Sequence, residues 1–590
     1  MRFWRRARAE TPKPDSEAGN EALAAIDAAL RSGGWAAAGA LLEAARARYP
    51  DHAELLLLES RRLRQQGQPE EALTCCDCAL STAKDPGSVQ LEIAECHLAL
   101  SDLPAALDAL QVAVTLSPQL GSAWLRLGEV LVRLDRHVEA LEVLPPAIEH
   151  SANPAAQARA RYVFGQALHL DGRIREAIDA YAACLVTEPD HLEALTAMGH
   201  AQLMAEDEPQ ALRYYELAVS LSAQPSRQLL SNLAMARQNV GDLEGARSAL
   251  MRLIAENPAD YQLRWYLCQL DLLECRWAQG WKEYGSRFGA KASPYRPMPF
   301  RPWDGAPRPD DTLLILADQG IGDEVLFASC FQDAMARVGR TVIECEPRLL
   351  GLFERSFPGA HCVPTQRGNT TEWLKGLPEP QWQIASGDLP ALFRTTDEAF
   401  PQREHYLLAK PESVQAWSDR LARELGPGLK VGLSWRGGTP RTRVLARSLG
   451  PQYWKEILTT PGVQFVNLQY GNYQEELSEL QHAHGVTIHD FPRAVADYDE
   501  TAALVGALDL VVTVCTAIVH LSGALGTPVW VLTPHVPGWR YTAHRQSMPW
   551  YAQSRLFRQP AWGEWGPACQ KLAAELRELT RNVRAPGRLS

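Results

Sequence analysis

An alanine returns at near-constant intervals through the first half of the chain, at Ala38, Ala72, Ala106, Ala140, Ala177, Ala211 and Ala246, in steps of 34, 34, 34, 37, 34 and 35 residues. A second column, on the first helix of each unit, holds Ile26, Ser60, Ala94, Gly128, Gly165, Gly199 and Ala234, mostly small or apolar. Four residues after most of the alanines stand Leu42, Leu110, Leu144, Tyr181, Tyr215 and Leu250, and prolines at 50, 118, 189 and 258 close several units. A period of this length is the mark of stacked helix–turn–helix units, each burying its apolar face against the next. Alanine lets two helices approach, the large residue fills the groove between units, and proline stops the second helix. Seven units are legible from about 25 to 260, with a degenerate eighth at "WYLCQLDLLECRWAQGWKEYGSRF", 265–288.

The pattern resembles that of tetratricopeptide-repeat (TPR) proteins. Residues 21–290 are therefore read as a TPR array preceded by a flexible segment, 1–20. The resemblance implies a concave surface that holds a protein or peptide; a spacer or dimerisation platform is the plainer alternative. No catalytic constellation lies in this half.

At 590 residues the chain exceeds what one core supports. The formal charge of −11 argues against nucleic acid as the main partner, though a local basic cluster can still serve a small phosphorylated ligand. The basic start "MRFWRRARAETPKPDSEAGNE" lacks the apolar stretch of a secretory signal, and no run is long and apolar enough to span a bilayer. Twelve scattered cysteines, including "CCDC" at 75–78, show no zinc-finger spacing and read as reduced, mostly buried thiols. A cytoplasmic protein without stable membrane insertion is expected.

Residues 291–311, rich in proline, arginine and glycine, read as a linker. Beyond it short apolar runs alternate with helical stretches: "TLLILA" (312–317), "TVIEC" (341–345), "WQIAS" (382–386), "KVGLSW" (430–435), "VQFVNLQ" (463–469), "VTIHDF" (486–491), "LDLVVTV" (508–514) and "PVWVLT" (528–533). Such alternation implies parallel sheets covered by helices. The runs fall into two doubly wound α/β lobes, 312–410 and 411–590, with a ligand cleft between them at the strand ends. The last amphipathic helix is expected to return and brace the first lobe.

Three stretches carry candidate chemistry. In "ADQGIGDEVLFAS", 317–329, Gly320 and Gly322 permit a tight turn, and Asp323 stands where it can act as a general base or simply cap the helix. Glu324 is its rival. "GLSWRGGTPRTRVLARSLG", 432–450, carries Arg436, Arg441, Arg443 and Arg447 with hydroxyls at Ser434, Thr439, Thr442 and Ser448, a set suited to a pyrophosphate or to a solvated basic loop. In "LDLVVTVCTAIVHLSGALGTPVWVL", 508–532, a buried strand gives way to a helix near Thr516, whose free amides form an anion site. His520 lies on the face of Thr516 and is either a ligand-facing or a packed core histidine. "HVPGWRY", 535–541, is placed along the cleft. No His, Asp or Glu cluster has metal-ligand spacing, so metal-independent chemistry is favoured.

In this order, "ADQGIGDEVLFAS", "VGLSWRGG", "RSLG", "FVNLQYG", "DETAALVGALDLVVTVCTAIVHLSGALGTPVWVL", "GWRY" and "PWYAQSRLFRQ" resemble bacterial proteins that join a TPR array to a GT-B glycosyltransferase module. That module is related to heptosyltransferases and, in domain order, similar to protein O-GlcNAc transferases. The resemblance implies an inverting transfer from a nucleotide-sugar, the one cosubstrate, with no resident cofactor. It assigns catalysis to Asp323 and His520, and donor binding to Gly320, Gly322, Trp435, Arg436, Arg447, Ser448, Gln469, Cys515, Thr516, Ala517, His520 and Gly523. The chain departs from the family at Cys515, where the family often has aspartate. Flagellin glycosyltransferases of alphaproteobacteria, which attach nonulosonic sugars to Ser/Thr, share this length and domain order, so flagellin is the favoured acceptor. An inactive TPR/GT-B scaffold and a heptosyltransferase acting on a glycolipid stand as alternatives.

Overall fold

The structure, a computed structural model, describes residues 17–32, 34–49, 52–365, 367–437 and 446–584. Thr439, Arg441, Thr442 and Arg443, expected at the donor site, lie outside the described residues, as do Pro50 and residues 1–16; residues 17–20 already belong to helix Glu17–Arg31. The chain divides into two compact units, 1–225 and 226–590.

The first unit is built from helix pairs: Glu17–Arg31 with Trp35–Arg48, Ala53–Gln65 with Pro69–Leu80, Pro86–Ala99 with Leu103–Leu116, Gly121–Arg133 with His137–Glu149, Pro154–Leu170 with Ile174–Thr187, and Leu192–Met204 with Glu208–Leu221. The periodic columns are its packing code. Ala38, Ala72, Ala106, Ala140, Ala177 and Ala211 are all fully buried. Gly165 and Gly199 exist to admit a ring: a Cβ there would stand 2.5 Å from Tyr181 and 2.6 Å from Tyr215. Aspartate or asparagine side chains cap several of these helices, as Asp102 does for Ala105 N at 3.1 Å and Asn153 for Ala156 N at 2.8 Å.

The second unit begins with two more such pairs, Arg227–Val240 with Leu243–Glu256 and Tyr261–Leu273 with Trp277–Glu283. The compact unit therefore starts within the array rather than at 290. The physical reason is the degenerate eighth repeat, whose Trp281 and Tyr284 pack edge-on against Trp539. Trp277 donates its indole N–H to Asp397 at 2.8 Å.

Two all-parallel sheets follow. The first contains β1 (Arg301–Pro302), β2 (Arg308–Leu316), β3 (Val338–Cys345), β4 (Ala360–Pro364) and β5 (Trp382–Ala385), in the order β1-β5-β2-β3-β4. The second contains β6 (Leu429–Ser434), β7 (Val463–Asn467), β8 (Ile488–His489), β9 (Leu510–Val514), β10 (Val529–Thr533) and β11 (Ser554–Arg558), in the order β11-β10-β9-β6-β7-β8. Strand β9, "LVVTV", is buried at every position, as a parallel strand covered on both faces must be.

Segment 291–311 is not a linker. It supplies β1 and the start of β2, and Arg296 is buried on Glu344, with Nη1 donating to Oε1 at 2.7 Å. The last helix, Trp565–Arg584, also departs from expectation. Its Ala568, Leu572 and Leu576 join the core of the second lobe with Val431 and Trp454, where the expectation put it against the first. Among the described residues no helix is long and apolar enough to cross a membrane.

Candidate functional site

Strand order fixes where a ligand can sit. In the second sheet the strand order reverses between β6 and β9, and in the first between β2 and β5. Crevices at the carboxyl ends of such strands are the binding places of doubly wound sheets. The end of β9 and the turn that follows β2 open on one cavity of about 630 Å³ within the second unit, while the carboxyl ends of β2 and β5 line a separate cavity of about 390 Å³. The larger cavity is lined by the turn at 320–323, the strand end and helix start at 515–517, and the segment 538–541. Gln238, Asn239 and Gln269 of the last helix pairs complete the wall.

Asp323 lies in the cavity wall and is paired. Its Oδ1 accepts from Arg540 Nε at 2.5 Å and also from Nη2, while its Oδ2 accepts from the amide of Gly320 at 3.3 Å. Asp323 thus caps the turn through Oδ2 and also lies in the cavity wall, where the base reading placed it. Arg540 also reaches Gln319 Oε1 at 3.3 Å and lies over the Trp539 ring, 4.5 Å from its centroid. The backbone on both sides of this pair is strained: Gln319 has φ 63° and Thr542 has φ 53°. For a buried β-branched residue that is an uncommon cost, of a kind that concentrates at functional sites. Glu324 is turned inward, with Oε2 accepting from Glu346 N at 2.9 Å and Oε1 bound by Arg367. Burial pushes its carboxyl up to about 7, but it does not line the cavity.

Across the cavity Thr516 caps helix Ala517–Leu525, its Oγ1 accepting from Ile518 N at 3.3 Å. Arg447 donates through Nε to the carbonyl of Cys515 at 3.1 Å, so its guanidinium is fixed over the end of β9. The Cys515 side chain is buried, and burial raises its thiol to about 11. It stands in the site as a small apolar group. The loop after β6 comes close to this strand end because residue 437 is glycine: a Cβ there would lie 2.8 Å from the Cys515 carbonyl.

His520 is buried, with Nδ1 3.0 Å from the Tyr551 hydroxyl. Burial first, then the charges of Arg540 and Arg447, push its imidazole down to about 3. It lines the cavity as a neutral ring and is a poor proton acceptor. Gly322 allows the two helices carrying Asp323 and His520 to touch, since a Cβ there would lie 3.2 Å from the imidazole. The unfolded chain protonates this histidine near 6.5 and the folded one near 3. Its contribution to stability is present above pH 6.5 and is lost as pH falls toward 3. A His520→Asn variant is expected to flatten this part of a pH series of melting temperatures; an unchanged slope would place the titration elsewhere.

Other expected donor contacts stand outside the cavity lining. Gln469 is a pin: its Oε1 accepts from Trp435 N at 3.0 Å and Arg436 N at 2.9 Å. Trp435 and Arg436 are both spent on Glu476, at 2.9 Å and 2.7 Å. Ser448 bridges to Arg436. Gly523 admits the Tyr551 ring, which a Cβ would approach to 2.3 Å. These residues shape the site from behind. Of the segment 535–541, placed along the cleft, residues 536–541 do line the cavity and include Arg540, whereas its pairing with Asp323 and the amides of Gln238, Asn239 and Gln269 have no sequence signal. The sequence placed "GWRY" along the cleft, but 217 residues separate Arg540 from Asp323 and no local pattern pairs them.

Comparison with known proteins gives a matching context for the repeats. The tetratricopeptide-repeat family profile matches residues 23–89 and 57–121. Protein FlbA of Caulobacter vibrioides is 31% identical over 505 residues, which cover 81% of this chain and 82% of FlbA. Among solved structures, YrrB, described as a TPR protein with an unusual peptide-binding site, is 24% identical, with 32% of this chain and 94% of its own covered at a TM-score of 0.28. MamA from Desulfovibrio magneticus RS-1 is also 24% identical, with 29% and 94% covered at 0.27. The amino-terminal part is a helical TPR solenoid.

Proposed function

The chain belongs to the family of Protein FlbA of Caulobacter vibrioides, and on that premise we propose that it is a protein O-glycosyltransferase of the GT-B type. The observation that carries the reading is a cavity that brings together the turn after β2 of the first lobe, the end of β9 with the helix start after it in the second, and the last repeat helices. A nucleotide-sugar donor suits the second lobe, its phosphate facing the start of helix Ala517–Leu525 and the guanidinium of Arg447. A Ser or Thr hydroxyl of an acceptor protein, held by the repeats, enters beside Asp323.

The transfer then balances as one displacement. The acceptor oxygen forms a bond to the anomeric carbon, its proton goes to the Asp323 carboxylate, and the bond from the anomeric carbon to the phosphate oxygen breaks with its electron pair on the phosphate. Fixed positive groups at that oxygen supply the largest share of stabilisation. Holding the acceptor on the repeats raises its effective concentration at the cleft. Flagellin as acceptor and a nonulosonic sugar as donor are the particular forms of this proposal.

A competing reading, a scaffold without catalysis, is favoured by one feature: Asp323 is locked on Arg540. Titration with CMP, UDP and GDP separates the two. A transferase is expected to gain thermal stability with at least one of them, by about 2.7 kcal/mol at one hundred times its Kd. No shift with any of the three would favour the scaffold.

A further inference from the structure

We propose that Arg540 is a phosphate ligand held in reserve by Asp323, and that the donor's phosphate draws it away, so that the base is released only when the donor is seated. The inference rests on the transferase reading and adds an order to it.

Three observations converge. First, both oxygens of Asp323 are occupied, Oδ1 by Arg540 at 2.5 Å and Oδ2 by the Gly320 amide at 3.3 Å. In this state Oδ1 is taken up by the guanidinium, and Oδ2 is left with only the long bond from the Gly320 amide. Second, among the described residues lining the cavity Asp323 is the one carboxylate, facing the two guanidinium groups of Arg447 and Arg540. A phosphate entering there brings more charge and more acceptor oxygens than the carboxylate it competes with, and guanidinium binds phosphate in paired hydrogen bonds. Third, Arg540 sits on the strained segment that ends at Thr542, and its partner side is bounded by the strained Gln319. Backbone held out of its ordinary region on both sides of one ion pair is the setting in which a switch is built.

The exchange moves no covalent bond. Arg540 leaves one anion for another, and Asp323 regains an oxygen for the acceptor's proton. Donor therefore binds before a productive acceptor, and in the cleft without donor the base shares Oδ1 with Arg540.

Calorimetry with CMP, UDP and GDP tests the exchange. Whichever nucleotide binds the unaltered protein is expected to bind Asp323→Asn about tenfold more tightly, the gain available if the pair holds Arg540 for roughly nine-tenths of the time. Arg540→Ala is expected to weaken binding, and adding Asp323→Asn to that background should change nothing further, as a shared partner requires. Asp323→Glu, which keeps the charge and the pair, is expected to stay within about twofold of the unaltered protein. An ion pair of purely structural meaning would leave nucleotide affinity equal or lower in Asp323→Asn, and that result overturns the proposal. Melting curves of each variant confirm folding; if Asp323→Asn does not fold, Asp323→Ser serves the same comparison. If no nucleotide binds the unaltered protein, the transferase reading itself fails and the exchange falls with it.

Discussion

Asp323→Ala is expected to yield a folded protein that still captures its acceptor but transfers sugar about 10²–10⁴-fold more slowly, the usual worth of a positioned general base. The size of the effect follows from what else the cavity offers. His520, the other residue assigned to catalysis, is a neutral ring pushed down to about 3 and bound to Tyr551, so it takes up little of the lost function. Glu324 is one residue away but faces inward, held by Arg367 and the Glu346 amide. Initial rates measured beside a pull-down of the acceptor separate chemistry from capture. Near-normal rates in a folded Asp323→Ala protein would remove Asp323 from the mechanism.

The largest stability effect is expected far from that carboxylate. Arg287 is fully buried and donates to Asp318 at 2.9 and 2.7 Å, to Asp388 at 2.6 Å and to the carbonyl of Tyr284 at 2.9 Å. Asp318 also accepts from Ser293 at 2.5 Å and is itself buried. Arg287 thus ties the end of the repeats to the turn that leads into Gly320 and Asp323. Arg287→Ala leaves Asp318 buried without its counter-charge, at a cost of about 3–5 kcal/mol. Urea denaturation followed by tryptophan fluorescence is expected to show an earlier transition of that size in the 226–590 unit. A change under about 1 kcal/mol would mean that water reaches Asp318 and screens it.

What could be read from sequence was whatever repeats or alternates. The alanine column is visible because the same packing problem is solved in every unit, and each of those alanines is buried. The central strands were legible as apolar runs because parallel strands are covered on both faces. Strand β11 was not, since "SRLFR" sits at the sheet edge with Arg555 exposed and breaks the run. Segment 291–311 misled because arginine and proline suggest a solvated loop; Arg296 is buried only because Glu344, 48 residues later, meets it. The same limit governs the site. Gly322, Thr516, Ala517 and His520 were found from a local strand-to-helix pattern and do line the cavity. Gly523 fits the same pattern and instead makes room for Tyr551. Arg436 looked like a phosphate ligand in "SWRGG", yet it is spent on Glu476. Arg540 acquires its meaning only when the two lobes are brought together.

The most direct test is the intact mass of flagellin and other candidate acceptors co-expressed with this chain or with its Asp323→Ala variant. The account predicts a discrete mass increment, equal to one or more sugar residues, that appears with the unaltered chain and is lost with the variant. Identical acceptor masses with and without the unaltered chain, under conditions in which its repeats retain the acceptor, would contradict it.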